Sequence, residues 1–210
     1  MTKRPLTNKL DHDSGFSLVE LLVVLTIIGI LTSILLPTGH QIMKQMRKTE
    51  AQKTAVELRT AIMNYYSEYK RYPPVSGSSG SGGDTQVATS GANGLIAGLM
   101  AVPGNTFTET VNRRRILFFS SRKAKRPGMS GVYPEGSGYA LYDPFFDASS
   151  TAPGNYFQVI FDSNYDNVIQ VPDRTGTGTE DLFAGAAVWS YGPNGEPGSN
   201  KGKNDDIFAY

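Results

Sequence analysis

One carboxylate, Glu20, stands inside an apolar run that is otherwise uncharged from Phe16 to Leu36 and is closed by Pro37. Those 21 residues match what a helix needs to cross a hydrocarbon core of about 30 Å. An ionised side chain at that depth costs on the order of 3 kcal/mol on insertion scales, so it is rarely there without a partner. The chain can supply the cation itself. A cut after Gly15 makes Phe16 a new N-terminus with a charged α-amine, four residues before Glu20 at the same end of one helix. In an array of staggered copies, Glu20 of one copy neutralises the Phe16 amine of the next. Pairing both charges in a low-dielectric layer favours that register over misaligned ones. The chemistry expected of these residues is assembly.

Other chemistries are narrowed by composition. The two histidines are His12 and His40, the latter just past the apolar run, and there is no cysteine, so the region expected to form the head (73–210) has neither residue. Ser-His-Asp and Cys-His nucleophilic sites are excluded there, as are imidazole and thiolate metal sites, and the chain is not expected to be an enzyme. Binding of a hard cation through oxygen ligands stays open. Gly192-Pro193-Asn194-Gly195-Glu196 begins a Gly- and Asn-rich loop that returns to Asp205-Asp206-Ile207. A second acidic stretch, Asp162-Ser163-Asn164-Tyr165-Asp166-Asn167, lacks the glycine at position six and the glutamate at position twelve of a calcium loop. It reads as a turn between strands, where Asp and Asn are at home. Arg113, Arg114, Arg115, Arg122, Lys123, Lys125 and Arg126 form a basic cluster with Phe118 and Phe119 between its halves. Residues 143–206 carry ten acidic side chains against Arg174, Lys201 and Lys203, a net charge of −7. Phosphate contacts along a nucleic acid are one reading of the cluster. The favoured reading is complementary basic and acidic faces meeting between neighbouring copies, with no nucleic acid as partner.

A short basic leader ending in Gly15, then Phe16-Ser17-Leu18-Val19-Glu20-Leu21-Leu22-Val23-Val24 and a full apolar span up to Pro37, resembles the type IV pilins and the pseudopilins of type II secretion. The resemblance implies cleavage between Gly15 and Phe16 by a prepilin peptidase, N-methylation of Phe16, and docking of subunits through Glu20. It further implies a single-pass protein of the bacterial inner membrane with its head in the periplasm. Such a subunit polymerises with itself and with other pseudopilins on an inner-membrane assembly platform. The tail from Trp189 to Tyr210 is similar to the C-terminal calcium loop of the major pseudopilin, the G type. That likeness makes Asn194, Asp205 and Asp206 candidate ligands. Asp206 matches the aspartate before the isoleucine, whereas Asn194 stands where the family usually has an aspartate. The alternative within the same family is a pilin-like subunit for DNA uptake or adhesion.

The elements that position these residues follow from periodicity. The expected organisation is a leader over 1–15, a membrane helix over 16–37, an amphipathic continuation over 38–72 and a globular head over 73–210. Ile42, Met46, Val56, Ile62, Met63, Tyr66 and Tyr69 recur at loosely helical intervals between charged residues. Ile62, Tyr65, Tyr66 and Tyr69 are expected against a sheet, and Pro73-Pro74 ends the helix near Tyr72. Ser76 to Gly83 reads as a flexible loop, and Leu95 to Met100 as a short helix. Strand signals fall at 116–119, 139–142, 156–161, 168–171 and 187–191. The fold class is therefore α+β, a long N-terminal helix packed on a small antiparallel head. Without cysteine, that head is held by its core, and at most a metal assists.

Overall fold

The computed structural model describes residues 16–75, 78–79, 83–145, 156–173, 178–195 and 206–210, the side chains of 34–41, 78–79 and 194 excepted. Helix α1 runs from Leu18 to Tyr69. By contacts the chain divides into two units, Met1–Lys44 and Gln45–Tyr210, so α1 contributes to both.

In the first unit the helix is apolar on all sides. Leu18, Val19, Leu21 to Leu25, Ile27, Ile28, Ile30 and Leu31 are each 44–79% exposed. Its few hydroxyls are satisfied locally. Thr26 donates to the Val23 carbonyl, Thr32 to Ile28 and Ser33 to Ile30, each at 2.7 Å. Such back-bonding lets polar residues sit in an apolar environment without an orphan donor.

In the second unit α1 presents Ala51, Ala55, Leu58, Ile62 and Tyr65, spaced 4-3-4-3 and without accessible surface. This spacing selects one face of a helix. Tyr66 and Tyr69 pack at its margin. Ile42, Met46 and Val56, expected on the apolar stripe, are instead 49–60% exposed. Small residues at 51 and 55 mark the buried side, and Val56, one position round from Ala55, turns away from it. The helix stops at Tyr69 rather than Tyr72 because Lys70 adopts a left-handed conformation (φ 55°), and its N–H bonds to the Tyr66 carbonyl at 2.7 Å.

The sheet under this face has five antiparallel strands in the order β1 (Ser78–Ser79), β2 (Thr85–Ala88), β5 (Gln158–Phe161), β8 (Ala186–Ser190), β9 (Ile207–Ala209). Two hairpins accompany it, β3 (Gly131–Glu135) with β4 (Gly138–Tyr142), and β6 (Ile169–Pro172) with β7 (Thr179–Leu182). Short helices α2 (Leu95–Leu99) and α3 (Thr106–Val111) precede the first hairpin. Strand alternation gives the sheet two buried faces. Val159, Phe161, Ala186 and Val188 join the α1 core. Ile160, Ala187 and Trp189 point the other way, onto Ile169 and Val171 of β6. The α+β class is as expected.

One expected strand is absent: residues 116–119 run as irregular chain. The N–H groups of Phe118 and Phe119 both donate to the Leu99 carbonyl, at 3.0 and 3.1 Å, so this segment closes the C-terminal end of α2 instead of pairing in a sheet. Asn112 ties the same corner together. Its side-chain amide donates to the Gly98 and Ile116 carbonyls, while its Oδ1 accepts from the Tyr69 hydroxyl at 2.9 Å. Gly91 and Gly138 are required where two backbones meet, since a Cβ on Gly138 would overlap the Gly91 carbonyl.

Candidate functional site

Glu20 and Phe16 are both exposed, and Gly15 lies outside the described residues. The start of α1 holds Glu20 in a capping box. Ser17 Oγ accepts from the Val19 N–H at 3.3 Å, and the Ser17 N–H donates to Glu20 Oε2 at 2.8 Å. Ser17 was not singled out among the functional residues, although Ser-x-x-Glu is a readable signature for this cap. The arrangement places the carboxylate at the positive end of the helix, within one turn of the position where a Phe16 amine would form. Glu20 is thus oriented and satisfied before any partner copy is present. Among the described residues, no helix is long and apolar enough to cross a membrane. The expected span of 16–37 continues past Ser33 into positions whose side chains lie outside the description.

The C-terminal candidates are distributed differently. Strand register pairs Ser190 with Ile207, so Asp206 comes opposite Tyr191, directly before the 3-10 turn Gly192–Asn194. The two ends of the loop are thereby brought together. Asp206 is half-buried. Burial pushes the Tyr191 phenol up, and the negative charge of Asp206 adds to it. Asp205 and the Asn194 side chain lie outside the described residues, and among the described residues no group of three or more His, Asp or Glu could hold a metal ion. Ser190 Oγ accepts from the Gly192 N–H at 2.9 Å and fixes the turn to the end of β8. Beside it lies Asp143, without accessible surface and with its carboxyl raised to about 6, chiefly by burial.

The stretch 162–167 is a turn from β5 into β6. Asp162 accepts from the N–H groups of Asp166 at 3.1 Å and Asn167 at 2.9 Å, and Asp166 accepts from Val168 at 2.8 Å. Backbone amides thus occupy the carboxylates that a calcium loop would turn toward the ion.

The basic cluster is divided. Arg114 pairs with Glu68 of α1, Arg115 with Glu109 at 2.7 Å, and Arg122 with Glu50 at 2.7 Å. Glu50 also accepts from Ser130 Oγ at 2.8 Å. Three of the seven cations therefore close contacts within their own protomer, which the linear charge pattern did not reveal. Their carboxylates come from far along the chain or from another element. Arg113, Lys123, Lys125 and Arg126 are exposed, with no carboxylate in ion-pair distance among the described residues.

Comparison with known proteins bears on the N-terminal motif. Residues 10–36 match the prokaryotic N-terminal methylation motif, a span that holds Gly15, Phe16 and Glu20. The chain is 31% identical to the fimbrial protein EcpC of Eikenella corrodens over 43% of its own length and 64% of the relative. It is 36% identical to the type IV major pilin protein PilA of Myxococcus xanthus over 29% of this chain and 28% of that one. A fimbrial protein of Neisseria meningitidis is 28% identical over 41% of this chain and 55% of its own. The chain thus spans between about a quarter and two thirds of these curated relatives. No solved structure matches it. None of these relatives is named for an enzymatic activity, in line with the expectation that the chain is not an enzyme. The N-terminal methylation motif over residues 10–36 and these partial likenesses thus relate the chain to type IV pilin and fimbrial proteins, most directly through its N-terminal segment.

Proposed function

We propose that this protein is a structural filament subunit, cleaved between Gly15 and Phe16 by a prepilin peptidase, methylated on Phe16, and assembled through Glu20. The observation that carries the reading is a helix segment apolar on every side, with one oriented carboxylate at its beginning. A surface of that kind is buried only against lipid or against other copies of itself. Before assembly it anchors the subunit in the bacterial inner membrane with its head on the periplasmic side. In the filament, Glu20 exchanges its bond to the Ser17 amide for the Phe16 amine of a neighbour. The test is to produce the full chain with its processing peptidase and an assembly platform. The mature protein is expected to begin at methylated Phe16, and Glu20→Leu to remain in the membrane without fibres. An intact leader, or normal fibres from Glu20→Leu, refutes the reading.

Within this reading we propose the pseudopilus of a type II secretion system, a periplasmic filament that drives secreted proteins outward. Its support is the C-terminal loop, whose ends meet at Asp206 and the Gly192–Asn194 turn. The second reading, a type IV pilus subunit for adhesion or DNA uptake, is supported by the names of the relatives. Deleting the gene separates them: secreted proteins disappear from the medium in the first case, surface fibres in the second.

We also propose calcium at that loop, held by Asp206 with Asp205 and Asn194. The half-buried carboxylate of Asp206 beside a glycine turn supplies the hard oxygen chemistry a calcium ion takes. Since a ligand bound only by the folded state raises its stability, melting in calcium should exceed melting in chelator, and Asp206→Ala should abolish the difference. Equal midpoints refute the site.

A further inference from the structure

The two faces of the sheet carry opposite charge at their outer surfaces. On the α1 side, Arg114 and Arg122 are bound to Glu68 and Glu50 of the helix, which places the basic segment beside α1. The remaining cations of that segment, Arg113, Lys123, Lys125 and Arg126, are exposed, as is Leu117 at 63%. On the other side, the β6–β7 hairpin covers the second core through Ile169 and Val171. Its outer strand β7 pairs only with β6 among the described residues, and it exposes Glu180 and Asp181. Phe183, just beyond it, is 84% exposed. Acidic side chains on an edge strand discourage pairing with another strand, and they leave a surface that selects a cationic one. Each surface thus has the charge the other lacks, and each carries one large apolar residue in the open.

We propose that the basic ledge beside α1 in one protomer docks on the acidic β6–β7 hairpin of the next copy of this chain. Because the two patches lie on opposite sides of the sheet, the contact is heterologous. A head-to-tail contact of this type propagates into an open array, whereas an isologous contact closes at two subunits. The proposal rests on the filament reading above and gives the heads their own register, independent of Glu20. Leu117 and Phe183 add exposed apolar area, one on each surface, and the charges set orientation and exclude the inverted approach.

The chain has no cysteine, so introduced cysteines report without background. The full-length chain with Lys125→Cys and Phe183→Cys, assembled and mildly oxidised, should give a ladder of dimers, trimers and longer species on a denaturing gel. Each single variant should stay monomeric. Adding Glu180→Lys and Asp181→Lys should reduce the cross-linked fraction by about fivefold, and adding Lys123→Glu and Arg126→Glu as well should restore it. These positions are exposed, so folding is preserved, which Trp189 fluorescence checks. Fibres by electron microscopy with no ladder overturn the contact and leave the filament reading standing. Neither fibres nor ladder overturns both. A ladder insensitive to charge reversal, or dimers equally strong in either single variant, overturns the docking of these two faces.

Discussion

Asp143 follows β4 in a place without solvent. Its Oδ1 accepts from the Phe145 N–H at 2.7 Å, and the Ser190 hydroxyl lies beside it. Both favour the charged form, but burial outweighs them, the charge of Glu50 adds to burial, and the carboxyl rises from 3.8 to about 6. The folded state therefore keeps a proton that the unfolded chain releases between those values. The stabilising contribution is complete below about pH 4 and is lost as pH rises through about 6. At 1.36 kcal/mol per pH unit, the loss amounts to about 3 kcal/mol. That is a large part of the 5–15 kcal/mol by which domains are typically stable. Asp143→Asn keeps the shape and the Oδ1 acceptor and removes the ionisation. Its stability relative to the native chain should be near equal at pH 4 and greater by up to about 3 kcal/mol at pH 8. Urea unfolding of the full chain in detergent, read by Trp189, measures this, since that residue is the sole tryptophan and is fully buried. An Asn variant whose stability differs from the native chain by the same amount at both pH values would refute the reasoning.

Other outcomes follow from the head core and are read by the same fluorescence. Tyr65→Phe leaves the Val111 carbonyl without the hydroxyl that now donates to it at 2.6 Å, and should cost about 1–3 kcal/mol. Leu58→Ala, on the buried face of α1, should cost about 2–5 kcal/mol. Val56→Ala, on the exposed face, should change stability by less than about 0.5 kcal/mol, and equal effects at 56 and 58 would contradict the face assignment.

The sequence carried the N-terminal motif and the class of fold clearly, because both depend on local pattern. Phe16 to Glu20 is a contiguous signal, and the tyrosines at 65, 66 and 69 announce one side of a helix. Strands with strong apolar content were readable, as at 139–142 and 187–191. Those missed were weak for stated reasons. Thr179–Leu182 contains Glu180 and Asp181 and needs one apolar contact only. Gly131–Glu135 contains Pro134, tolerated because its hairpin has two strands. Ile207–Ala209 is three residues long. Residues 116–119 misled in the other direction. Their apolar content belongs to Phe118 and Phe119 filling the core under α2, while Leu117 faces out. The ion pairs of Arg114 and Arg122 join residues 46 and 72 positions apart, a separation no local pattern encodes.

The buried face of α1 grades from small to large along the helix: Ala51, Ala55, Leu58, Ile62, Tyr65. A slip by one turn, about 5.4 Å, would drive bulky side chains into slots shaped for methyl groups. Tension applied along the helix axis is consequently resisted in shear by the whole interlocked layer at once. Within the unit Gln45–Tyr210, this stretch of helix and the sheet beneath it would therefore move under load as one keyed piece.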